Sequence, residues 1–132
     1  MSALLEVRDL SVDFRVRGAR LAAVDRVSFD VQRGETVGLV GESGSGKSTI
    51  ALTTMQVHEP ASGSIRFDGA EVSHARGSTL RALRRRMQMV FQNPYASLDP
   101  RLSVRRILLE PLEAHGIGTP GEREAKVQDL LR

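Results

Sequence analysis

The stretch Gly41-Glu42-Ser43-Gly44-Ser45-Gly46-Lys47-Ser48-Thr49 decides the reading of this sequence. It satisfies the pattern G-x-x-x-x-G-K-[ST], and its flanks supply the setting that pattern needs. Ahead of it, Thr36-Val37-Gly38-Leu39-Val40 is a short apolar run suited to a strand covered on both faces. Behind it, Lys47 to Val57 reads as a helix stopped by Pro60. Glycine lets the backbone take positive φ and approach an anion closely, so that successive N–H groups converge on phosphate oxygens. The start of the following helix adds the positive end of its dipole. Lys47 is a mobile cation able to reach the terminal phosphates, the Ser48 hydroxyl is placed to ligate Mg²⁺, and Thr49 adds a contact further along. A flexible glycine-serine linker would account for Gly44 and Gly46 but not for Lys47-Ser48 in register. A dinucleotide fingerprint is excluded, because Thr49 stands where that motif requires glycine or alanine.

Working outward, Leu4 to Phe14 mixes apolar and charged residues in near-alternation, and Val27, Phe29 and Val31 repeat with period two. Both read as half-buried strands of an antiparallel element, with Arg33-Gly34 turning into the apolar run before the loop. Downstream, Ser64 to Phe67, the Asp68-Gly69 turn and Val72 predict another strand pair. Ser78 is placed to cap a short helix bearing Leu80 and Leu83, and Met87 to Phe91 is again strand-like. Asn93-Pro94 and Asp99-Pro100 mark a structured loop. Beyond it Ile107, Leu108 and Leu112 share a helix face, with Gly116 as the stop. Thr119-Pro120-Gly121-Glu122 then fits a capping box with proline at the first helical position, ahead of a stripe of Val127, Leu130 and Leu131.

Composition narrows the class without choosing a chemistry. The 132 residues are 40% hydrophobic and 27% charged, an ordinary globular mixture, and carry no cysteine for a disulfide or thiolate metal site. Glu6, Arg8 and Asp9 interrupt the first ten positions, which rules out a signal-peptide core there. No apolar run approaches the roughly 20 residues of a bilayer span, so the expectation is a soluble, cytoplasmic chain. The net charge is only +3 and aromatics are 4% of the chain. Nucleic-acid binding is therefore not expected, despite the cluster of Arg81, Arg84, Arg85 and Arg86.

A phosphate loop alone specifies only a nucleoside triphosphate. A second segment narrows this: Met89-Val90-Phe91-Gln92-Asn93-Pro94-Tyr95-Ala96-Ser97-Leu98-Asp99-Pro100-Arg101. Here a glutamine ends a predicted strand and begins a proline-fixed loop; a neutral amide at that point reaches Mg²⁺ or orients an attacking water without adding charge. Together the two segments resemble the ATP-binding subunits of ABC transporters. Gly41 to Thr49 matches their Walker A motif and Gln92 their Q-loop glutamine. The run from Val90 to Arg101 is similar to the branch that drives oligopeptide, dipeptide and nickel importers. Phe14, upstream of the loop, is the best match for the aromatic that stacks on adenine in relatives, the alternative being an ordinary strand-core residue.

The resemblance implies an α/β P-loop NTPase of the ABC ATPase type, with an N-terminal antiparallel β subdomain and the start of a helical subdomain. It places the N-terminal part of the ATPase core at residues 1–95, and the tail of the Q-loop with the start of the helical subdomain at 96–132. It implies ATP and Mg²⁺ as cofactors. Phe14, Gly41, Glu42, Ser43, Gly44, Ser45, Gly46, Lys47, Ser48 and Thr49 would then bind the nucleotide, Lys47 and Gln92 act in hydrolysis, and Ser48 and Gln92 face the metal. The implied partners are transmembrane permease subunits, a second ATP-binding subunit and, indirectly, an extracytoplasmic substrate-binding protein, with the chain peripheral on the cytoplasmic face of the membrane. Three family features do not occur in the 132 residues: an L-S-G-G-Q-like signature, an apolar strand ending in Asp-Glu, and a histidine in the switch context. The resemblance thus covers about the first half of the family's domain, and the chain by itself is expected to bind Mg-ATP weakly without turning it over. The alternatives are a non-hydrolysing nucleotide-binding or docking module and a non-transport ABC ATPase.

Overall fold

The computed structural model describes residues 3–93 and 95–132, and the chain divides into two compact units, Met1–Met87 and Gln88–Arg132. In the first, β1 (Leu5–Val16), β2 (Ala19–Val31), β3 (Ser62–Phe67) and β4 (Ala70–Glu71) form one antiparallel sheet in the order β2-β1-β3-β4. The β1–β2 hairpin closes through Arg17 and Gly18 at φ 49° and 84°, and β3–β4 through Asp68 and Gly69 at 51° and 78°. Two successive positive-φ residues give the turn whose twist matches that of the strands it joins.

The near-alternation of β1 conceals three bulges. Between Val7↔Phe29 and Leu10↔Val27, β1 carries one extra residue; between Leu10↔Val27 and Val12↔Val24, and again around Ala23, β2 does. Asp9 and Arg26 take positive φ at the first two. The lone serine opposite each bulge accepts the amide proton thrown out of the ladder: Asp9 N donates to Ser28 Oγ at 2.8 Å, and Arg26 N to Ser11 Oγ at 3.0 Å. Each bulge resets which face the side chains point to, so Val7, Leu10 and Val12 all reach the core although they are not evenly spaced. Gly63 crosses the first bulge, where a Cβ would lie 2.5 Å from the Asp9 carbonyl oxygen.

Helices α1 (Lys47–Thr54) and α2 (Gly77–Arg86) contribute Ile50 and Leu83 to the core formed by Val7, Leu10, Val12, Val24, Ile65, Phe67 and Val72. The predicted helix 47–57 ends at Thr54. Gln56 takes φ 56°, and Val57 N donates to Leu52 O (2.9 Å) and Gln56 N to Thr53 O (2.9 Å), which closes a Schellman turn before Pro60 is reached. Ser78 is not the cap of α2; Arg76 holds that place, without a side-chain bond, and its carbonyl accepts from Leu80 N. Within the arginine cluster, Arg86 pairs with Asp68 at 2.5 Å and lies over the Phe67 ring at 4.9 Å. Asp68 also pairs with Arg33.

Two strand expectations fail. Thr36–Val40 and Met87–Phe91 form no ladder among the described residues, and Val37, Leu39, Val40, Val90 and Phe91 are exposed, Val40 and Val90 to 94% and 96%. An apolar run states what a segment can bury, whereas a strand also needs a neighbour for its amides. The paired strands here satisfy one another as antiparallel neighbours, and neither run lies in that sheet.

In the second unit, a single turn of 3₁₀-helix at Tyr95–Ser97 leads to α3 (Val104–Ala114) and α4 (Pro120–Leu130). Asn93 Oδ1 accepts from Tyr95 N (3.1 Å), and Asp99 Oδ1 from Arg101 N (3.0 Å), as expected of a structured loop; Pro94 lies outside the described residues. Ser103 caps α3, and Gly116 at φ 63° closes it, with Ile117 N on Leu112 O at 2.8 Å. Thr119 and Glu122 form both bonds of the expected capping box, with Pro120 at the first helical position. Leu109, Leu112 and Val127 form the interhelical core, tied outside by the two-pronged Arg105–Glu124 pair. The expected α4 stripe is narrower than predicted, since Leu130 and Leu131 are exposed.

Candidate functional site

Residues 41–46 run without a ladder into α1, with Gly44 and Gly46 at φ 81° and 94° and Ser45 N on Glu42 O at 3.2 Å. Gly46 is the N-cap of α1 and supplies no side-chain cap, and the first turn holds no acidic residue. The leading amides of the helix are therefore left for an external acceptor, beside the positive end of its dipole. Lys47 folds back over the loop: Nζ donates to Gly41 O at 2.7 Å, to Glu42 O at 2.5 Å and to Ser45 Oγ at 3.1 Å. An ammonium gathered onto three neutral oxygens can exchange them for anionic ones, which bind it more strongly.

The loop lies against β2. A Cβ on Gly46 would sit 2.7 Å from the carbonyl oxygen of Ala23, the extra residue at the third bulge, and 3.4 Å from Val24 Cγ2. Ala23, Gly44, Gly46, Lys47, Ser48 and Thr49 line a cavity of about 150 Å³. That is below the roughly 300–1,000 Å³ of whole-ligand pockets, a size for a phosphate tail and not for an entire nucleotide. Ala23 carries no signal in the sequence; only the bulge brings its backbone here.

The described residues contain no cluster of three or more His, Asp or Glu side chains able to hold a metal by themselves. Ser48 is exposed at the cavity wall. Glu42 and Ser43 are exposed on the loop and do not line the cavity.

Phe14 pairs with Leu21 across the hairpin, two residues along β2 from Ala23, and packs half-buried against the core cluster. Its ring meets His58 at 5.2 Å between centroids and 83° between planes. Gln92 belongs to the second unit, exposed, where Phe91, Gln92, Asn93 and Ser97 line a separate cavity of about 410 Å³. No helix among the described residues is long and apolar enough to cross a membrane.

Residues 24–132 match the family model described as ABC transporter. A putative peptide import ATP-binding protein of Brucella ovis is 49% identical over 128 residues, covering 97% of this chain and 40% of that protein. The oligopeptide transport ATP-binding protein AppF of Bacillus subtilis is 43% identical over 136 residues, covering 97% and 41%. The chain thus spans about 40% of the length of the curated relatives it matches. In fold it is similar to a dimeric ATP-binding cassette solved in a post-hydrolysis state with ADP and Pi, with a TM-score of 0.77 and 22% identity over 96% of this chain and 55% of that one.

Proposed function

The chain belongs to the ABC transporter family, and from that membership we propose that it carries the phosphate-binding part of an ATP-binding, energy-coupling subunit of a peptide-type importer. The observation that carries this reading is the loop itself: an uncapped helix start, two positive-φ glycines and the Lys47 ammonium around one small cavity. The amides of the loop and of the first turn of α1 hold the β- and γ-phosphate oxygens. Lys47 Nζ leaves Gly41 O, Glu42 O and Ser45 Oγ and follows the γ-phosphate as charge builds on it. Mg²⁺, when bound, would supply neutralisation of phosphate charge. By the family resemblance Ser48 and Gln92 would be the residues to hold it, and Gln92 would also orient water. Phe14 offers a ring face to the base.

The peptide class rests on what the relatives are named for, import of peptides and oligopeptides. The partners that go with it are transmembrane permease subunits, a second ATP-binding subunit closing on the first, and indirectly an extracytoplasmic substrate-binding protein, with the chain peripheral to the membrane. Residues 96–132 are the start of the helical subdomain that meets the permease. The sequence holds no Asp-Glu after an apolar strand and no signature motif to complete a hydrolytic site.

The test is titration of the full chain with a fluorescent ATP analogue and Mg²⁺, repeated with Lys47→Ala. Loss of a charge-assisted contact of about 1.5–3 kcal/mol predicts affinity lower by roughly 10- to 150-fold. Equal affinity in both proteins would remove the basis of the proposal.

A further inference from the structure

One helix connects the two ends of the proposed nucleotide site. α1 begins at Lys47, beside the phosphate cavity. At its other end, the Schellman turn at Gln56 and Val57 reverses the chain and delivers His58 against Phe14 on β1. The two rings stand nearly perpendicular, 83° between planes with centroids 5.2 Å apart, and both residues are half-buried. This is the edge-to-face arrangement aromatic rings favour over a direct sandwich. Whichever ring presents its edge, at least one face of Phe14 stays clear of His58.

We propose that His58 is a positioning residue for base recognition: its ring fixes the plane of Phe14 so that a face clear of His58 is presented to the flat base of a nucleotide whose phosphates lie at Lys47. The inference rests on the reading of Phe14 as the base platform. A benzyl side chain on a hairpin strand has two torsions to immobilise before it can stack, and a perpendicular neighbour holds both without occupying the stacking face. His58 follows α1 by four residues, through the hydrogen-bonded turn that closes that helix, so the platform is tied to the element that begins at the cation.

The experiment compares the full chain with His58→Ala, His58→Phe and Phe14→Ala, measuring the affinity of each for Mg-ATP and for Mg-tripolyphosphate, which has no base. An edge-to-face pair contributes enough to change affinity about two- to tenfold. His58→Ala should weaken ATP by that factor and leave tripolyphosphate unchanged; His58→Phe should restore ATP binding; Phe14→Ala should weaken ATP at least as much as His58→Ala. Unchanged tripolyphosphate affinity also certifies that the loop is folded in each variant. If Phe14→Ala weakens ATP and His58→Ala does not, the role of His58 is overturned while the platform stands. If Phe14→Ala leaves ATP affinity unmoved, the platform reading falls and the inference with it. If His58→Ala weakens both ligands equally, or His58→Phe fails to rescue, His58 acts on the fold and not on the base.

Discussion

Gly46→Ala tests the architecture of the phosphate loop at its tightest point. Gly46 takes φ 94°, and a side chain in the left-handed region costs about 1–2 kcal/mol. The new methyl would also lie 2.7 Å from the Ala23 carbonyl oxygen, so restoring a contact of roughly 3.5 Å requires β2 and the start of α1 to separate by about 0.8 Å. Overpacking of that kind costs about 1–3 kcal/mol more, for a total of about 2–5 kcal/mol. Gly44→Ala is the matched control: φ 81° carries the same conformational cost, but nothing lies within 4 Å of its Cβ, so only about 1–2 kcal/mol is expected. Gly41→Ala is a further contrast, because its near neighbour at 2.6 Å is the Ser45 hydroxyl, a side-chain end that can rotate away at the loss of one hydrogen bond from Lys47. Urea unfolding of the three variants, extrapolated to water, should rank Gly46→Ala well below the other two. Equal midpoints for Gly46→Ala and Gly44→Ala would refute the claim that β2 braces the loop through Ala23.

Two further outcomes follow from groups away from the loop. Thr53 Oγ1 in α1 is buried with no hydrogen-bond partner among the described residues, so Thr53→Val, which keeps the shape and removes the hydroxyl, should stabilise by about 1 kcal/mol; a thermal midpoint that falls would show the hydroxyl is satisfied. The Asp68 carboxyl is held below its ordinary 3.8 by the hydrogen bond from Arg86 and by the charges of Arg33 and Arg86. A depressed folded-state value means this contribution is complete above about pH 4 and is lost as pH falls through the folded value. Denaturant midpoints measured from neutral to strongly acid pH should therefore decline below about pH 4, and less steeply in Asp68→Asn. An identical acid limb in that variant would show that the Arg33–Asp68–Arg86 cluster contributes nothing.

What the sequence made legible were features whose cause is local. The glycine-lysine loop, the Thr119–Glu122 box, the Gly116 stop and the Asp68-Gly69 turn each depend on residues within a few positions, and each forms. Segments that depend on distant partners are less legible. Thr36–Val40 and Met87–Phe91 have the composition of buried strands, but composition cannot name the neighbour, and no ladder forms on them among the described residues. The three bulges left only a stutter in the apolar alternation, so the approach of Ala23 to Gly46 was invisible. Of the candidate site, the phosphate loop was legible as a unit. The contact proposed for His58 was not, because it joins residues far apart in the chain, and Gln92 lies in the other unit, where it lines a cavity.

The serines opposite the bulges have a consequence for how this hairpin can vary. A plain antiparallel ribbon can slide by two residues and recover equivalent pairing, since side chains then return to the same face. Here Ser11 and Ser28 each engage one displaced amide on the opposite strand, so a slide would strand both hydroxyls and both amides together. Insertions and deletions should consequently be tolerated at the Arg17-Gly18 tip and rejected on the loop side of the serine bolts, where one residue gained or lost would carry the Ala23 carbonyl away from Gly46.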